Sequence, residues 1–207
     1  MSNDSPASVS KEVVRDVVDV TCLSRGVGQA PVQTLVRAQS IRLNRYLYSR
    51  SDGSGMKTIG SVDEAVATKG AELGVSQWFE VEQSRIDEFA DVTVDHQWIH
   101  VDVERAKTES PYGATIAHGF LTLSLIPGLS KDNYRVENAR MGINYGLNKV
   151  RFLAPVTAGS RVRVRSKLAD AVRAGDDTVN LTLLHTVEVE GSEKPAAIAE
   201  LIARYVF

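Results

Sequence analysis

Hydrophobic and polar residues alternate along four long runs in the C-terminal half of the chain. A two-residue period places successive side chains on opposite faces of a β-strand. Breaks rich in Gly, Pro, Ser and Asp separate the runs, as hairpin connections do. The pattern therefore predicts four long strands, at Met141–Phe152, Arg161–Val172, Thr178–Val189 and Ala196–Phe207.

A different pattern precedes these strands. Ile116–Leu129 is strongly apolar and has almost no polar face at helical spacing. A helix that is hydrophobic all round must be buried. An antiparallel sheet wrapped around this one helix is the simplest way to bury it, so the sequence predicts a single-core α+β fold.

The region between Met56 and Thr115 shows weaker signals. We expect two helices, a short strand and a long polar loop that contains one helical turn. In order these are the helix Val62–Leu73, the strand around Trp78–Val81, a helix that begins at Ser84, the loop Asp91–Thr115 and the turn Asp102–Ala106.

The composition changes near Ser51. Between Cys22 and Ser51 there are five arginines and no acidic residue, and a Gly/Ser-rich break follows. Such a break is typical of a flexible connection. We expect residues 1–55 to be a flexible or non-native N-terminal extension and residues 56–207 to be the folded domain. The alternatives are a basic amphipathic helix over Val32–Tyr48, and a translation start at Met56.

Charge and cysteine content exclude several classes. The formal net charge is −2, so no general electrostatic attraction to nucleic acid is expected. The single cysteine, Cys22, permits neither an intramolecular disulfide nor a thiolate zinc site, which favours the cytoplasm. The sequence contains neither a secretory signal nor an apolar stretch long enough to span a membrane, so no membrane partner is expected.

Two polar clusters flank the start of the apolar helix. The first is the run Asp95–Asp102, which includes His96 and His100, and the second is His118 with Gly119. A carboxylate and a histidine that face one water can deprotonate it and return a proton elsewhere, as addition of water to a double bond requires. A glycine N–H at a helix start can stabilise an oxygen that gains negative charge.

Each of these residues also has a structural interpretation. Asp and His in polar loops are often solvated or cap helices, which applies to Asp95 and His100. His96 is expected to be exposed, because adjacent residues of an extended loop point apart. For His118 we expect a hydrogen bond to a buried backbone group at the helix start. A metal site formed by His96, His100 and His118 is an alternative, but no metal site is expected.

Two separate motifs suggest a family. The first runs from Phe89 through Asp95, His100, Asp102 and Ala106 to Ile116–Phe120, and the second is Ile143–Phe152. Together they resemble the signature of the MaoC-like dehydratases, the (R)-specific enoyl-CoA hydratases of the hotdog fold. The run Asp-His-Gln-Trp-Ile-His is similar to the nodulation-protein-N-like branch. The resemblance covers about residues 57–207 and implies a single hotdog fold.

By this resemblance, Asp95 and His100 match the catalytic aspartate and histidine of the family. Gly119 matches the glycine whose backbone N–H holds the thioester oxygen. His118 is a candidate supporting residue. Phe120 is a candidate lining residue for the acyl channel, together with Leu121 and Leu125, and a place in the core is the alternative for all three.

The chain departs from the wider family around the aspartate. Most members have Gly before it and Asn-Pro between the two catalytic residues, whereas this chain has Val94, Gln97 and Trp98. Gln97 can donate and accept hydrogen bonds as an Asn would, so we expect it to support the site from a different position.

The resemblance implies hydration of trans-2-enoyl-CoA to (3R)-3-hydroxyacyl-CoA and the reverse dehydration, without a metal or redox cofactor. The expected partners are an acyl-CoA or acyl-carrier-protein thioester and, because a hotdog sheet has exposed edges, a second copy in a homodimer. The alternatives are a 3-hydroxyacyl-[acyl-carrier-protein] dehydratase, a hotdog thioesterase and a non-catalytic acyl-thioester-binding subunit. The paired Asp95 and His100 disfavour the thioesterase, and these two with Gly119 disfavour the non-catalytic subunit.

One further pattern concerns coenzyme A. Four basic residues alternate and so share one face of a predicted strand. This face is either solvated or lies near the phosphates of coenzyme A. The residues are Arg161, Arg163, Arg165 and Lys167.

Overall fold

A computed structural model describes residues 56–207 of the chain. The predictions for residues 1–55, including the basic helix over Val32–Tyr48, lie outside the described residues. The described residues form five helices and eight strands. In chain order they are β1 (Lys57–Ile59), α1 (Val62–Ala67), β2 (Glu72–Val75), β3 (Phe79–Glu80), α2 (Gln83–Thr93), α3 (Trp98–Val101), α4 (Val103–Glu109), α5 (Gly119–Ser130), β4 (Tyr134–Val136), β5 (Met141–Phe152), β6 (Arg161–Arg173), β7 (Thr178–Val189) and β8 (Ala197–Val206).

Six strands form one antiparallel sheet in the order β2-β6-β7-β8-β5, and β3 pairs with the first two residues of β6. β1 and β4 form a separate parallel pair. The long strand β5 is hydrogen-bonded only to β8, so it forms one edge of the sheet among the described residues. The predicted antiparallel sheet is confirmed, and the predicted bounds of β5 and β7 are those of the structure.

Strand β7 shows why the alternating pattern predicts the sheet correctly. Every second side chain of this strand is buried, from Val179 to Val187, while the intervening side chains are partly exposed. Val187 belongs to the core cluster that includes α5, whereas the buried side chains nearer Val179 belong to a second cluster with α1. Helix α5 packs against β6, β7 and β8. The α+β arrangement around a central helix is therefore confirmed.

The central helix is less completely buried than its composition suggests. Leu121 and Ile126 are in the core, whereas Phe120 is 69% exposed. Exposed residues recur along the helix at positions 120, 124, 127 and 128, which form one stripe. The expectation of burial all round is thus wrong for this stripe within the described chain. Among residues 56–207, no helix is long and apolar enough to cross a membrane.

Three predictions for the N-terminal part of the domain are wrong in whole or in part. The helix predicted over Val62–Leu73 ends at Ala67, because Gly70 adopts a left-handed conformation and the chain turns into strand β2. The region predicted as the loop Asp91–Thr115 contains the end of α2 and the short helices α3 and α4, and only the predicted turn Asp102–Ala106 matches, at the start of α4. The helix α2 begins at Gln83 rather than at a cap formed by Ser84.

One polar cluster lies inside the core. His185 is 1% exposed, and its Nδ1 is 3.0 Å from the hydroxyl of Ser166. The Ser166 hydroxyl also accepts a hydrogen bond from the amide of Asn133, at 2.7 Å. Burial lowers the pKa of His185 to about 4, so this ring is neutral at pH 7.

This lowered pKa predicts that the domain loses stability in mild acid. The unfolded chain binds a proton at His185 below pH 6.5, whereas the folded chain resists protonation until about pH 4. The contribution is therefore fully present above pH 6.5 and is lost as the pH falls toward 4. We expect it to lower the free energy of unfolding by about 3 kcal/mol over this interval.

Urea denaturation at pH 7 and pH 4 checks this, with His185→Gln as the control. Glutamine has no proton to gain, so the variant should show a smaller loss of stability over the same interval. Equal losses in the wild type and in His185→Gln would contradict the assignment.

Candidate active site

Asp95 is positioned by the end of helix α2. The N–H groups of Val94 and Asp95 both donate to the carbonyl of Ala90, and Val94 adopts the left-handed conformation with φ 60°. This turn places Asp95 directly after the helix, with its side chain 57% exposed. Valine is unfavourable in this conformation because it is β-branched. By resemblance to the MaoC-like dehydratases, glycine is expected at position 94.

Val94→Gly is therefore predicted to stabilise the domain. Relief of the strained conformation, after the entropic cost of glycine, should leave a gain of about 1 kcal/mol in the free energy of unfolding. Val92→Gly is the matched control, because Val92 is 83% exposed within helix α2. The control should lose about 0.5–1 kcal/mol. Urea denaturation measures both, and a loss of equal size in Val94→Gly would contradict the strain argument.

His100 lies in α3 and its ring is buried against a cavity. Its Nδ1 is 2.6 Å from the carbonyl oxygen of Ile116. A carbonyl only accepts, so Nδ1 carries the proton and Nε2 keeps a lone pair. Burial lowers the pKa of His100, and His118 lowers it as well, while the Ile116 carbonyl and Asp95 act in the opposite direction. The ring is thus a neutral proton acceptor near pH 7.

A side-chain amide fixes the backbone of His100. The Nε2 of Gln83 donates to the carbonyl of His100 at 2.8 Å and to Asp87 at 2.7 Å. The hydroxyl of Thr115 donates to Oε1 of the same Gln83. Helix α2, helix α3 and the segment before α5 are therefore joined through one side chain. No local sequence pattern indicates this role of Gln83, because its partners lie 17 and 32 residues away.

His118 joins the two polar clusters. Its Nε2 lies 2.9 Å from the backbone carbonyl of Asp95 and 4.0 Å from the Asp95 carboxylate. Its ring stacks on that of His100, with centroids 3.8 Å apart and an interplanar angle of 28°, and Phe89 packs against it at 5.1 Å. His118 therefore does bond to a backbone group, but this group is the carbonyl of Asp95 after α2 rather than the expected buried group at the helix start.

Gly119, the first residue of α5, lines a cavity of about 370 Å³ together with His100. The first N–H groups of a helix have no partner within it, so they can bind a ligand oxygen. A Cβ at position 119 would lie 3.1 Å from the ring of Phe152. Glycine therefore allows Phe152 to lie against the helix start, where it forms a wall of the same cavity.

The segment before α5 is tied to the connection between β5 and β6. The N–H of Ala117 donates to the carbonyl of Val156 at 2.7 Å, and the N–H of Ala158 donates to the carbonyl of Thr115 at 3.0 Å. Val156 and Ala117 also line the cavity. These backbone bonds fix the first turn of α5 relative to the cavity wall.

The other candidate residues lie outside this cluster. Gln97 is exposed and does not line the cavity. His96 is half exposed and its Nε2 is 2.9 Å from Asp91 on the surface, as expected. Phe120 does not line the cavity but contacts Phe152 edge-on, with centroids 6.0 Å apart. Of the other two suggested channel residues, Leu121 belongs to the core and Leu125 packs against it, so the core interpretation holds for these leucines.

Sequence analysis missed two aromatic residues of the cavity. Tyr112 and Phe152 both line it and are about half exposed. Tyr112 lies in a segment without a periodic pattern, and Phe152 was assigned only to a strand. Their approach to His100 is a result of tertiary folding, which local patterns do not report.

Asp95, His100 and His118 each offer one ligand atom, and these three atoms lie within 4.8 Å of one another. Two histidines and a carboxylate at this spacing would also suit a divalent metal ion. His96, the other histidine considered as a metal ligand, is instead paired with Asp91 on the surface. Two of these atoms are a carboxylate oxygen of Asp95 and a ring nitrogen of His100. Their spacing accommodates one water molecule that is hydrogen-bonded to both side chains.

The basic face of strand β6 is neutralised by acidic neighbours. Each of its cations lies within 4.0 Å of a glutamate carboxylate, so this face offers little free charge to coenzyme A. The pairs are Arg161–Glu190 at 3.0 Å, Arg163–Glu188 at 2.6 Å, Arg165–Glu188 at 2.8 Å and Lys167–Glu72 at 3.7 Å.

Comparison with known proteins identifies relatives of this chain. The family model described as MaoC like domain matches residues 55–190. The chain is 53% identical over 151 residues to 3-hydroxyacyl-thioester dehydratase Z of Mycobacterium tuberculosis. The aligned region covers 73% of this chain and 99% of that protein. It is 49% identical over 134 residues to Nodulation protein N of Rhizobium leguminosarum bv. viciae, covering 64% and 83% respectively.

Solved structures share the fold. The X-ray structure of a monoamine oxidase regulatory protein from Archaeoglobus superposes with a TM-score of 0.62 at 22% sequence identity. The match covers 73% of this chain and 97% of that one. The predicted hotdog fold is confirmed.

Proposed function

The chain belongs to the MaoC-like domain family, and we propose that it catalyses (R)-specific hydration of trans-2-enoyl thioesters and the reverse dehydration. One observation carries this proposal. A carboxylate oxygen of Asp95 lies within 4.8 Å of a ring nitrogen of His100, and His100 lines a cavity together with Gly119 of the first turn of α5. A base, a water-orienting carboxylate and an oxyanion donor are therefore together at one site.

In the proposed hydration, one water is held between Asp95 and His100. The water oxygen bonds to C3 of the enoyl group while Nε2 of His100 takes a proton from it. The π electrons of the C2–C3 bond move toward C1, and negative charge develops on the thioester oxygen. The protonated His100 then returns its proton to C2, which restores the carbonyl and the neutral ring, so the net addition is one water.

The backbone N–H of Gly119 is proposed to hold the thioester oxygen. This donor is at the positive end of the α5 dipole, where a developing negative charge is favoured. Removal of one such donor commonly lowers turnover by about 100-fold to 1000-fold.

The reaction changes no oxidation state, so the proposal includes no redox cofactor. It includes no metal either, because the neutral His100 can accept a proton from a water that Asp95 orients. We also propose a cytoplasmic location, which suits the single cysteine of the chain.

We propose coenzyme A rather than acyl-carrier protein as the carrier, with the carrier-protein dehydratase as the alternative. The basic face of β6 is paired with glutamates and does not distinguish the two carriers, whereas a direct assay does. Loss of enoyl absorbance is measured with crotonyl-CoA, with a longer trans-2-enoyl-CoA and with crotonyl-acyl-carrier protein. Faster turnover of the CoA thioesters supports the proposal. Turnover of the carrier-protein thioester alone would overturn the choice of carrier, and absence of turnover on all three would favour a non-catalytic binding subunit.

We propose that two copies pair through β5 as a homodimer. This edge strand exposes a row of large hydrophobic side chains, and Phe120 of α5 is exposed next to Phe152 at the end of the strand. An unpaired edge with an apolar surface is a common site of association. Sedimentation equilibrium tests the proposal, because a dimer has twice the chain mass. The exposed side chains of the strand are Met141, Ile143, Tyr145, Leu147 and Phe152.

A further inference from the structure

We propose that His118 is a positioning residue that holds the catalytic Asp95 in place through its backbone. This inference rests on the proposed function of Asp95 and His100. His118 is 4% exposed, whereas the side chain of Asp95 is 57% exposed. A buried residue on the central helix thus secures a residue on an open turn.

Both backbone polar groups of Asp95 are bonded to helices. The N–H donates to the carbonyl of Ala90 in α2, at 3.1 Å. The carbonyl accepts from Nε2 of His118, the N-cap residue of α5, at 2.9 Å. Asp95 is therefore held between two helices, and the His118 bond is the contact that joins it to the helix carrying Gly119.

The orientation of His118 differs from that of an ordinary N-cap residue. The side chain of an N-cap residue usually accepts a hydrogen bond from the first turn of its own helix. That of His118 makes no such bond and instead reaches a residue 23 positions earlier. Capping of α5 therefore does not explain a histidine at this position.

The bonding state of the ring supports the same role. Because the Asp95 carbonyl only accepts, Nε2 of His118 carries the proton. Its Nδ1 is then an acceptor, and this atom is buried without a hydrogen-bond partner among residues 56–207. An unpaired buried polar atom is unfavourable. The bond to Asp95 and the stacking on His100 are the contacts that favour this ring over an apolar residue.

The bond to Asp95 and the stacking on His100 require different properties of a residue that replaces His118. Stacking on His100 requires a flat ring, whereas the bond to Asp95 requires an N–H donor about as far from the backbone as Nε2. His118→Phe keeps a ring and removes the donor. His118→Gln keeps an N–H donor and removes the ring. The pair therefore separates positioning of Asp95 from filling of the space beside His100.

Two measurements on the full-length protein test the proposal. The first is steady-state hydration of crotonyl-CoA. We expect His118→Phe to lower kcat by about 100-fold with KM within about threefold, because small misplacement of a catalytic group has effects of this size. His118→Gln should retain kcat within about tenfold of the wild type. Equal losses in both variants, or wild-type kcat in His118→Phe, would overturn the proposal.

The second measurement does not depend on activity. Hydrogen–deuterium exchange of backbone amides is followed in peptides that cover residues 91–101. We expect faster exchange in His118→Phe than in the wild type, and wild-type exchange in His118→Gln. Wild-type exchange in His118→Phe would overturn the positioning role even if the wild type has no hydratase activity. A wild type without turnover but with the expected exchange pattern would overturn only the proposed function.

Discussion

Asp95→Asn is expected to lower kcat for enoyl-CoA hydration by roughly 1000-fold without unfolding the protein. Asparagine keeps the size of the side chain but removes the negative charge that orients the water and stabilises the protonated His100. The side chain is 57% exposed, so little packing is lost. Steady-state kinetics with crotonyl-CoA measures the loss, and circular dichroism checks the fold.

Asp91→Asn is the matched control for this variant. Asp91 precedes Asp95 by four residues, and its carboxylate pairs with the surface residue His96 at 2.9 Å. The same substitution there should leave kcat within about twofold, because exposed ion pairs contribute little. A near wild-type rate in Asp95→Asn, or an equal loss in Asp91→Asn, would contradict the assignment of Asp95.

His100→Ala is expected to lower kcat by roughly 1000-fold or more, because it removes the base that takes the water proton. It also leaves the Ile116 carbonyl without its partner and opens space beside His118. Added imidazole should enter that space and restore part of the rate. Steady-state kinetics with and without imidazole measures both effects.

His96→Ala supplies the control, since His96 is half exposed and pairs with Asp91 on the surface. Its kcat should stay within about twofold of the wild type.

In the wild type, burial lowers the pKa of His100 from its usual 6.5, so the ring is mostly neutral at pH 7. The acid limb of kcat/KM should therefore lie below pH 6.5. A rate that falls with a midpoint above pH 6.5 would contradict a buried neutral base.

Sequence patterns predicted the sheet well because its strands are long and one face of each is buried. In β7 every second residue from Val179 to Val187 is buried, so the alternation is uninterrupted. The helix predicted over Val62–Leu73 failed because its apolar residues continue past Gly70, where the backbone turns into β2. The short helices α3 and α4 were mostly missed, since four and seven residues are too few for a clear period.

The sequence predicted which residues form the candidate site but not how they are arranged in space. Asp95, His100, His118 and Gly119 were identified from residue type, position and family resemblance. The left-handed conformation of Val94 contradicts the usual preference of valine, so the sequence offers no signal for it. The cavity walls at Tyr112 and Phe152 come from separate elements and form only when the chain folds.

The residue that supports the catalytic pair is not the one that was expected. Gln97 was expected to support the catalytic pair from within the loop, but it is exposed. Gln83 of α2 instead binds the backbone of His100. An amide side chain does support this site, and it comes from the preceding helix.

The central claim is that Asp95 and His100 use one water to add both hydrogen and hydroxyl to one face of an enoyl thioester. Hydration of crotonyl-CoA in D₂O, followed by NMR and chiral analysis of the product, tests this most directly. The account predicts a (3R)-3-hydroxybutyryl product with deuterium at C2 on the same face as the hydroxyl, formed by the wild type and not by Asp95→Asn. An (S) product, deuterium on the opposite face, or undiminished formation by Asp95→Asn would contradict it.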